Sequence, residues 1–249
     1  MVLTPLSSNA LITTDQLIRV IKANGAVQIK DPNDPTSTGF DETDEDFLNY
    51  LIGLINQVSS QVESYLGRKL GKATYSELAR TSFGDHIQVE NYPIVKINEV
   101  RSLYGNTMPL NRLEFYNDYR NYEKGLIETG GMLKSVMNRV GMGNHPQNSK
   151  PAVRINYEAG YVLPKDATDT VPATLPEDIQ SVVTSACVKI FIRYTDDSRA
   201  QDLISLTEGN VVHQWASTTT KDMKKYGALD LEEQNLLNKY RRAKGLYTV

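Results

Sequence analysis

VRINYEAGYVLPKDATDTVPATLPEDIQSVVTSACVKIFIRY, residues 153–194, is the stretch whose reading decides the fold. Its opening alternates strictly. Val153, Ile155, Tyr157 and Ala159 can share one side of an extended chain while Arg154, Asn156 and Glu158 take the other, the pattern of a half-buried strand. Gly160 frees the chain to turn, and a loop with three prolines follows. A helix then begins near Pro176, with Glu177 and Asp178 in its first turn. Ile179, Val182, Val183, Ala186, Cys187, Ile190, Phe191 and Tyr194 recur at three- and four-residue spacing and form a core stripe. Val188 and Ile192 broaden that stripe at its far end, which suggests a second contact surface.

Upstream, two further helices carry their own start signals. Thr13 is placed to cap, Gln16 stands at the capping-box position and Ile12 can staple against Leu17, so a first helix runs to just before Gly25. Residues 26–43 cluster Pro, Asp, Asn, Ser and Gly and read as a loop. A second helix spans about Asp44 to Leu66, with Phe47, Leu51, Leu54, Ile55, Val58, Val62 and Tyr65 on one stripe and Leu48 and Ile52 widening it. Asp41, Glu42, Asp44, Glu45 and Asp46 crowd its start, where carboxylates complement the helix dipole; this reading is preferred to a metal site. Gly67, Arg68 and Lys69 suit its end.

Between residues 73 and 116 the helical period gives way to ATYSELA, HIQVE, IVKINEVRSLYG and RLEFY, punctuated by Pro93 and Gly105, which predicts antiparallel strands and hairpins joined by VRINYEAGY. Residues 117–152 read as an elaborated hairpin or insertion. Beyond 195 the chain returns to polar loop and short-strand character. A last helix starts at Asp230 with Glu233 completing an Asp-x-x-Glu cap, presents Leu236, Leu237 and Tyr240, and ends in KYRRAKG. The expected fold is therefore α+β and helix-dominated: about four helices packed with a small antiparallel sheet or hairpins. The expected organisation is a core over 1–200, with insertions near 26–43 and 117–150, and an extended C-terminal arm over 201–249, where apolar density is low.

Composition narrows function by exclusion. With 40% hydrophobic and 23% charged residues among 249, the chain can bury a sizeable core. A formal net charge of -3 supplies no global field toward nucleic acid or an anionic membrane. The N-terminus has no basic start, and apolar runs are only a few residues long, so the expectation is synthesis in a reducing cytoplasm and no membrane partner. The single cysteine, Cys187, lies on the buried stripe and reads as a small core hydrophobe.

Catalytic motifs fail on spacing. GRKLGKA at 67–73 has three residues between its glycines where a phosphate loop needs four, and Ala73 replaces the hydroxyl that would reach a metal ion. GMGNHP at 141–146 has Pro146 in place of the third glycine of a dinucleotide turn. His86, His145 and His213 form no ligand pattern, and there is no Gly-x-Ser-x-Gly elbow. Catalytic, cofactor and metal residues are thus expected to be none, and an enzyme is unsupported. One local bias remains: Gly131 to Asn156 lacks acidic residues, while Lys134, Arg139, Lys150 and Arg154 are basic and could approach DNA phosphate. In FYNDYRNYEKG the opposite charges cancel, so Phe115, Tyr116, Tyr119 and Tyr122 read as packing or interface residues.

Taken together, TTDQLIRVI, VESYLGRKL, YPIVKINEVRSLYG, VRINYEAGY, LPEDIQSVVTSACVKIFIRY, SLTEGNVVHQW and ALDLEEQNLLNKYR, in this order and spacing, resemble the head-to-tail connector (adaptor) proteins of tailed bacteriophages. The resemblance covers about residues 10–115 and 150–243; the loops at 26–43 and 117–150 are elaborations on the family's shorter chains. It implies a structural virion protein at the head-to-tail interface without catalytic residues. Its subunits would form a ring, commonly dodecameric, under the portal protein, extending the channel for packaged double-stranded DNA and carrying the next neck, stopper or tail component.

The broadened helix arcs make Leu48, Ile52, Val188 and Ile192 the expected subunit contacts, by the heterologous geometry that closes a ring. The terminal helix, through Leu236, Leu237, Tyr240, Arg241 and Arg242, is the expected portal contact, and Lys134, Arg139 and Lys150 the expected DNA-proximal residues. The alternatives are a DNA-binding accessory protein with a steep salt dependence, another neck component such as a stopper or tail terminator, and, third, an uncharacterised enzyme.

Overall fold

A computed structural model describes residues 4–24, 40–82, 86–102, 107, 122–129, 152–195, 205–208, 211–214 and 228–241. The fold is α+β. The helices are α1 (Thr14–Asn24), α2 (Glu45–Leu66), α3 (Glu177–Thr195) and α4 (Leu231–Asn238). The strands are β1 (Ala73–Ser82), β2 (His86–Gln88), β3 (Ile94–Ser102), β4 (Leu126–Glu128), β5 (Ala152–Ala159), β6 (Ser205–Glu208) and β7 (Val211–Gln214). The chain divides into two compact units: one holds Met1–Gly67, Leu163–Ala167 and Leu175–Arg241, the other Arg68–Val162, Thr168–Thr174 and Arg242–Val249. The five-stranded sheet lies in the second unit and α4 in the first.

In the helical unit the local signals operate as chemistry. The Thr13 amide donates to Gln16 Oε1 at 2.9 Å, and the Gln16 amide to Thr13 Oγ1 at 3.2 Å, closing the capping box of α1. Asp44 caps α2 by accepting from the Asp46 amide, and Gly67 ends it in the left-handed region at φ 69°, its amide bonded to Glu63 O. All seven stripe residues of α2 are buried. Each such aliphatic or aromatic side chain contributes about 1.5–3 kcal/mol when withdrawn from water.

A second, polar seam runs along α2. Asn49, Asn56, Ser59 and Glu63 follow at about helical repeat and accept from the extended segment ahead of α1. The Thr4 amide donates to Asn49 Oδ1, the Ser7 amide to Asn56 Oδ1, the Leu11 amide to Ser59 Oγ and Asn9 Nδ2 to Glu63 Oε2, at 2.7–3.2 Å. Side chains of α2 thereby satisfy three backbone amides of the segment, which delivers Leu11 and Ile12 to the core, both fully buried.

Helix α3 is packed by α1, α2 and α4. Three neighbours bury more than one stripe, so Val188 is buried along with Ile179, Val182, Val183, Ala186, Cys187 and Phe191, while Ile190, expected in the core, is half-buried. Burial pushes the Cys187 thiol up to about 12, with the Glu233 charge adding to it, so the sulfur behaves as the small apolar group expected.

In the sheet unit five antiparallel strands run in the order β3-β5-β1-β2-β4, and β5, the opening strand of the quoted stretch, lies between β1 and β3. Val153, Ile155, Tyr157 and Ala159 all face the apolar cluster, joined by Ile94, Ile97 and Val100 of β3. Those three residues recur every third position, which a regular strand cannot place on one face. Register shifts between Ile94 and Lys96 and between Ile97 and Glu99 each insert one residue and return the next apolar side chain inward. Ala79, Ile87, Val89 and Ile127 belong to the same cluster.

Tyr157 is fully buried, its ring 5.7 Å from that of Tyr75. Its hydroxyl accepts from the Asn91 amide and donates to Glu77 Oε2, both at 3.2 Å. Burial, then the Glu77 charge, raises its pKa. The β6–β7 hairpin forms a separate two-stranded sheet.

Candidate interaction surfaces

The α2–α3 pair and the terminal helix, both in the helical unit, hold the residues singled out for assembly. The Phe47 and Phe191 rings meet edge-on at 6.0 Å, so the first turn of α2 lies beside the last turns of α3. Leu48, Ile52, Val188 and Ile192 therefore gather at one end of the pair. Ile52 and Val188 are each only 7% exposed within the chain itself, whereas Leu48 and Ile192 are half-buried.

The sequence reading missed the most prominent member of this end. Phe40 stacks on Phe47 at 5.3 Å and lies 5.6 Å from Phe191, yet stays 38% exposed, and Tyr50 approaches Phe191 at 6.1 Å. A single phenylalanine in a polar turn just ahead of a capped helix was the available signal. Together these residues make a ridge of aromatic and aliphatic surface.

Helix α4, expected on a sparse tether, is docked on the unit. Its capping box is complete: the Glu233 amide donates to Asp230 Oδ1 and the Asp230 amide to Glu233 Oε2, each at 2.9 Å. Leu229 and Leu237 are buried. Tyr65 Oη bonds Gln234 O at 3.2 Å and Asn238 Oδ1 at 2.7 Å. Lys189 of α3 reaches Asp230 Oδ2 and, at 2.9 Å, Glu233 Oε1. At the other end Lys239 and Tyr240 both bond Asp178, and the Arg241 guanidinium lies 5.0 Å from the Tyr65 ring centroid.

Of the expected portal contacts, only Leu236, 51% exposed, offers open apolar surface. Leu237 is interior, and Tyr240 and Arg241 are engaged as described. Arg242 lies outside the described residues, as do Lys134, Arg139 and Lys150.

The charges on α4 make its docking pH-dependent. Burial raises the Asp230 pKa, but the Glu233 amide and Lys189 outweigh it and hold the carboxyl below its ordinary 3.8. Burial lowers Lys189, but bonds to Asp230 and Glu233 outweigh that and raise it above 10.5. Hydrogen bonds from Lys239 and Tyr240 lower Asp178 as well. A depressed carboxyl contributes stability above its ordinary pKa and loses it as pH falls through the folded value; a raised ammonium contributes below its ordinary pKa and loses it as pH rises through the folded value. Hydrogen-exchange protection of the 231–238 amides is expected to plateau near neutral pH and to fall below pH 3.8 before that of α2 falls. Simultaneous loss in both helices would show that these pairs do not hold α4.

Among the described residues no group of three or more His, Cys, Asp or Glu could hold a metal ion, and no helix is long and apolar enough to cross a membrane. No protein-family model matches the chain, and no curated protein matches it. Solved structures with a similar course include a chain from the neck of an empty GTA particle computed with C6 symmetry, at TM-score 0.45 and 14% identity, covering 98% of this chain and 96% of that one. Another comes from the neck of a native GTA particle computed with C12 symmetry, at TM-score 0.39 and 13% identity, with coverages of 98% and 96%.

Proposed function

We propose that this chain is a structural adaptor of a tailed-phage head-to-tail connector, a non-enzymatic virion subunit that forms a ring under the portal protein. The ring, by this reading a dodecamer, extends the channel for double-stranded DNA and carries the next neck or tail component. The observation that carries it is the aromatic and aliphatic ridge at one end of the α2–α3 pair. Phe40 is 38% exposed there, beside the half-buried Leu48, Tyr50 and Ile192. A surface of that kind suits a contact repeated from copy to copy. The order of elements supports the same reading, since helix, long helix, antiparallel sheet, long helix and terminal helix follow as the sequence resemblance implies.

Leu236 on α4 is the surface assigned to the portal; Leu237, Tyr240 and Arg241 would join it only if the helix left its present seat. The test is electron microscopy of the chain mixed with its portal protein. A ring seated on the portal is the expected image, and leucine-to-glutamate substitution at Leu236 should leave rings of this chain intact while removing them from the portal. Monomers unattached to the portal would overturn the reading.

A further inference from the structure

On the outer face of the sheet, cross-strand neighbours form three rows. They are Thr74, Glu158 and Lys96; Ser76, Asn156 and Glu99; and Leu78, Arg154 and Arg101. The third row is unusual. Arg101 stands directly opposite Arg154, and like charges so placed destabilise a sheet. Glu99 offsets only part of this: it holds Arg101 at 2.6 Å and accepts from Asn156 Nδ2 at 3.1 Å. The Arg154 side chain is exposed and makes no hydrogen bond or ion pair with the described residues. Beside it Leu78 is 57% exposed. One end of the face therefore offers two adjacent guanidiniums and a bare leucine, a surface that matches carboxylates next to an apolar group.

The helical unit carries the counterpart. Asp41, Asp44, Glu45 and Asp46 are exposed at the start of α2, directly after Phe40. Glu42 is taken by Lys22 at 2.5 Å and Asp44 by its capping role, but Asp46 makes no side-chain hydrogen bond or ion pair with the described residues.

We propose that in the assembled ring the Leu78–Arg154–Arg101 row of one copy receives the acidic start of α2 of the next copy, with Asp46 on Arg154 and Phe40 over Leu78. This rests on the ring reading above. The occupant is a second copy because both complementary halves are present on every chain, which makes the contact heterologous and repeatable. A duplex is disfavoured because Glu99 and Glu158 share the face and would meet its phosphates.

The test uses the full chain and two charge reversals, Arg154→Glu and Asp46→Arg, with circular dichroism and melting to show that each folds, and mass photometry to follow self-association. Each reversed chain alone is expected to need at least about tenfold higher concentration to assemble, as for truncated or reversed interfacial charge pairs. An equimolar mixture of the two should recover assembly, because each then meets an opposite charge on its neighbour, and so should one chain carrying both changes. Reversals that leave assembly unchanged would overturn the proposal. Recovery in the doubly changed chain without recovery in the mixture would place the pair within one copy and overturn it also. Loss of duplex binding by Arg154→Glu with assembly intact would assign the row to nucleic acid instead. A wild-type chain that stays monomeric at every concentration, alone and with its portal, would overturn the ring reading itself and this contact with it.

Discussion

Gly160→Ala is expected to unfold the sheet unit at temperatures where the wild type is intact. Gly160 follows β5 at φ 104°, a conformation that L side chains rarely adopt, and an added Cβ would lie 2.4 Å from the carbonyl oxygen of Gly71 and 2.8 Å from that of Leu70. Neither side can withdraw easily. The Gly160 amide is bonded to Pro93 O at 2.9 Å, the Tyr161 amide to Leu70 O at 2.7 Å and the Lys72 amide to Tyr161 O at 2.8 Å, so the two backbones are stitched together on both flanks of the clash. Backbone strain and forced separation together should cost about 3–5 kcal/mol, in the upper range for a single substitution. For a chain of this size that is a Tm lower by roughly 6–20 °C.

Gly53 supplies the control. It lies exposed in the middle of α2 with nothing within 4 Å of an added Cβ, so Gly53→Ala should stabilise by up to about 1 kcal/mol. Calorimetry that gave the two alanines similar effects would contradict the assignment of Gly160 as a steric requirement.

Phe191→Ala should be comparably damaging in the helical unit, at about 3–5 kcal/mol. The ring is 1% exposed and is met by Phe40 from the turn ahead of α2 and by Phe47 and Tyr50 from its start, so its removal leaves a cavity that three aromatic neighbours cannot all collapse into. Phe40→Ala should behave differently although it touches the same ring. Phe40 is 38% exposed, and its loss is expected to change stability by less than about 1 kcal/mol while weakening self-association. Thermal melting paired with mass photometry separates the two. A Phe40→Ala chain that melts early, or assembles like wild type, would show that the ring serves the fold alone.

The features legible in the sequence were those whose cause lies within a few residues. Thr13 with Gln16, Gly67, and Asp230 with Glu233 cap helices through bonds spanning three or four positions, and each was readable from residue type and spacing, whereas Asp44, legible only as part of an acidic cluster, caps through the Asp46 amide. The α2 stripe was readable for the same reason, since one helical period repeats along it. The polar seam of α2 was not. Asn49, Asn56, Ser59 and Glu63 look like a solvated face, and only an extended segment more than forty residues upstream makes them an anchoring rail. Lys189 likewise gives no local sign that its partners are Asp230 and Glu233, 41 and 44 positions away. The surface proposed for assembly was half legible: the widened arcs pointed to one end of α2 and α3, and only packing showed that Ile52 and Val188 turn inward and that Phe40 joins the ridge there.

By itself the sequence determined the α+β class, the start and end of the major helices, and the inward face of β5, because caps, periods and alternation are short-range consequences of backbone geometry. Tertiary structure alone decided the two-unit division, the docking of α4, the bulges that reconcile a three-residue repeat with a strand, and the row that sets Arg101 against Arg154. Each of these depends on which distant segments meet, and pairing between remote residues is a property of the folded chain that no local pattern encodes.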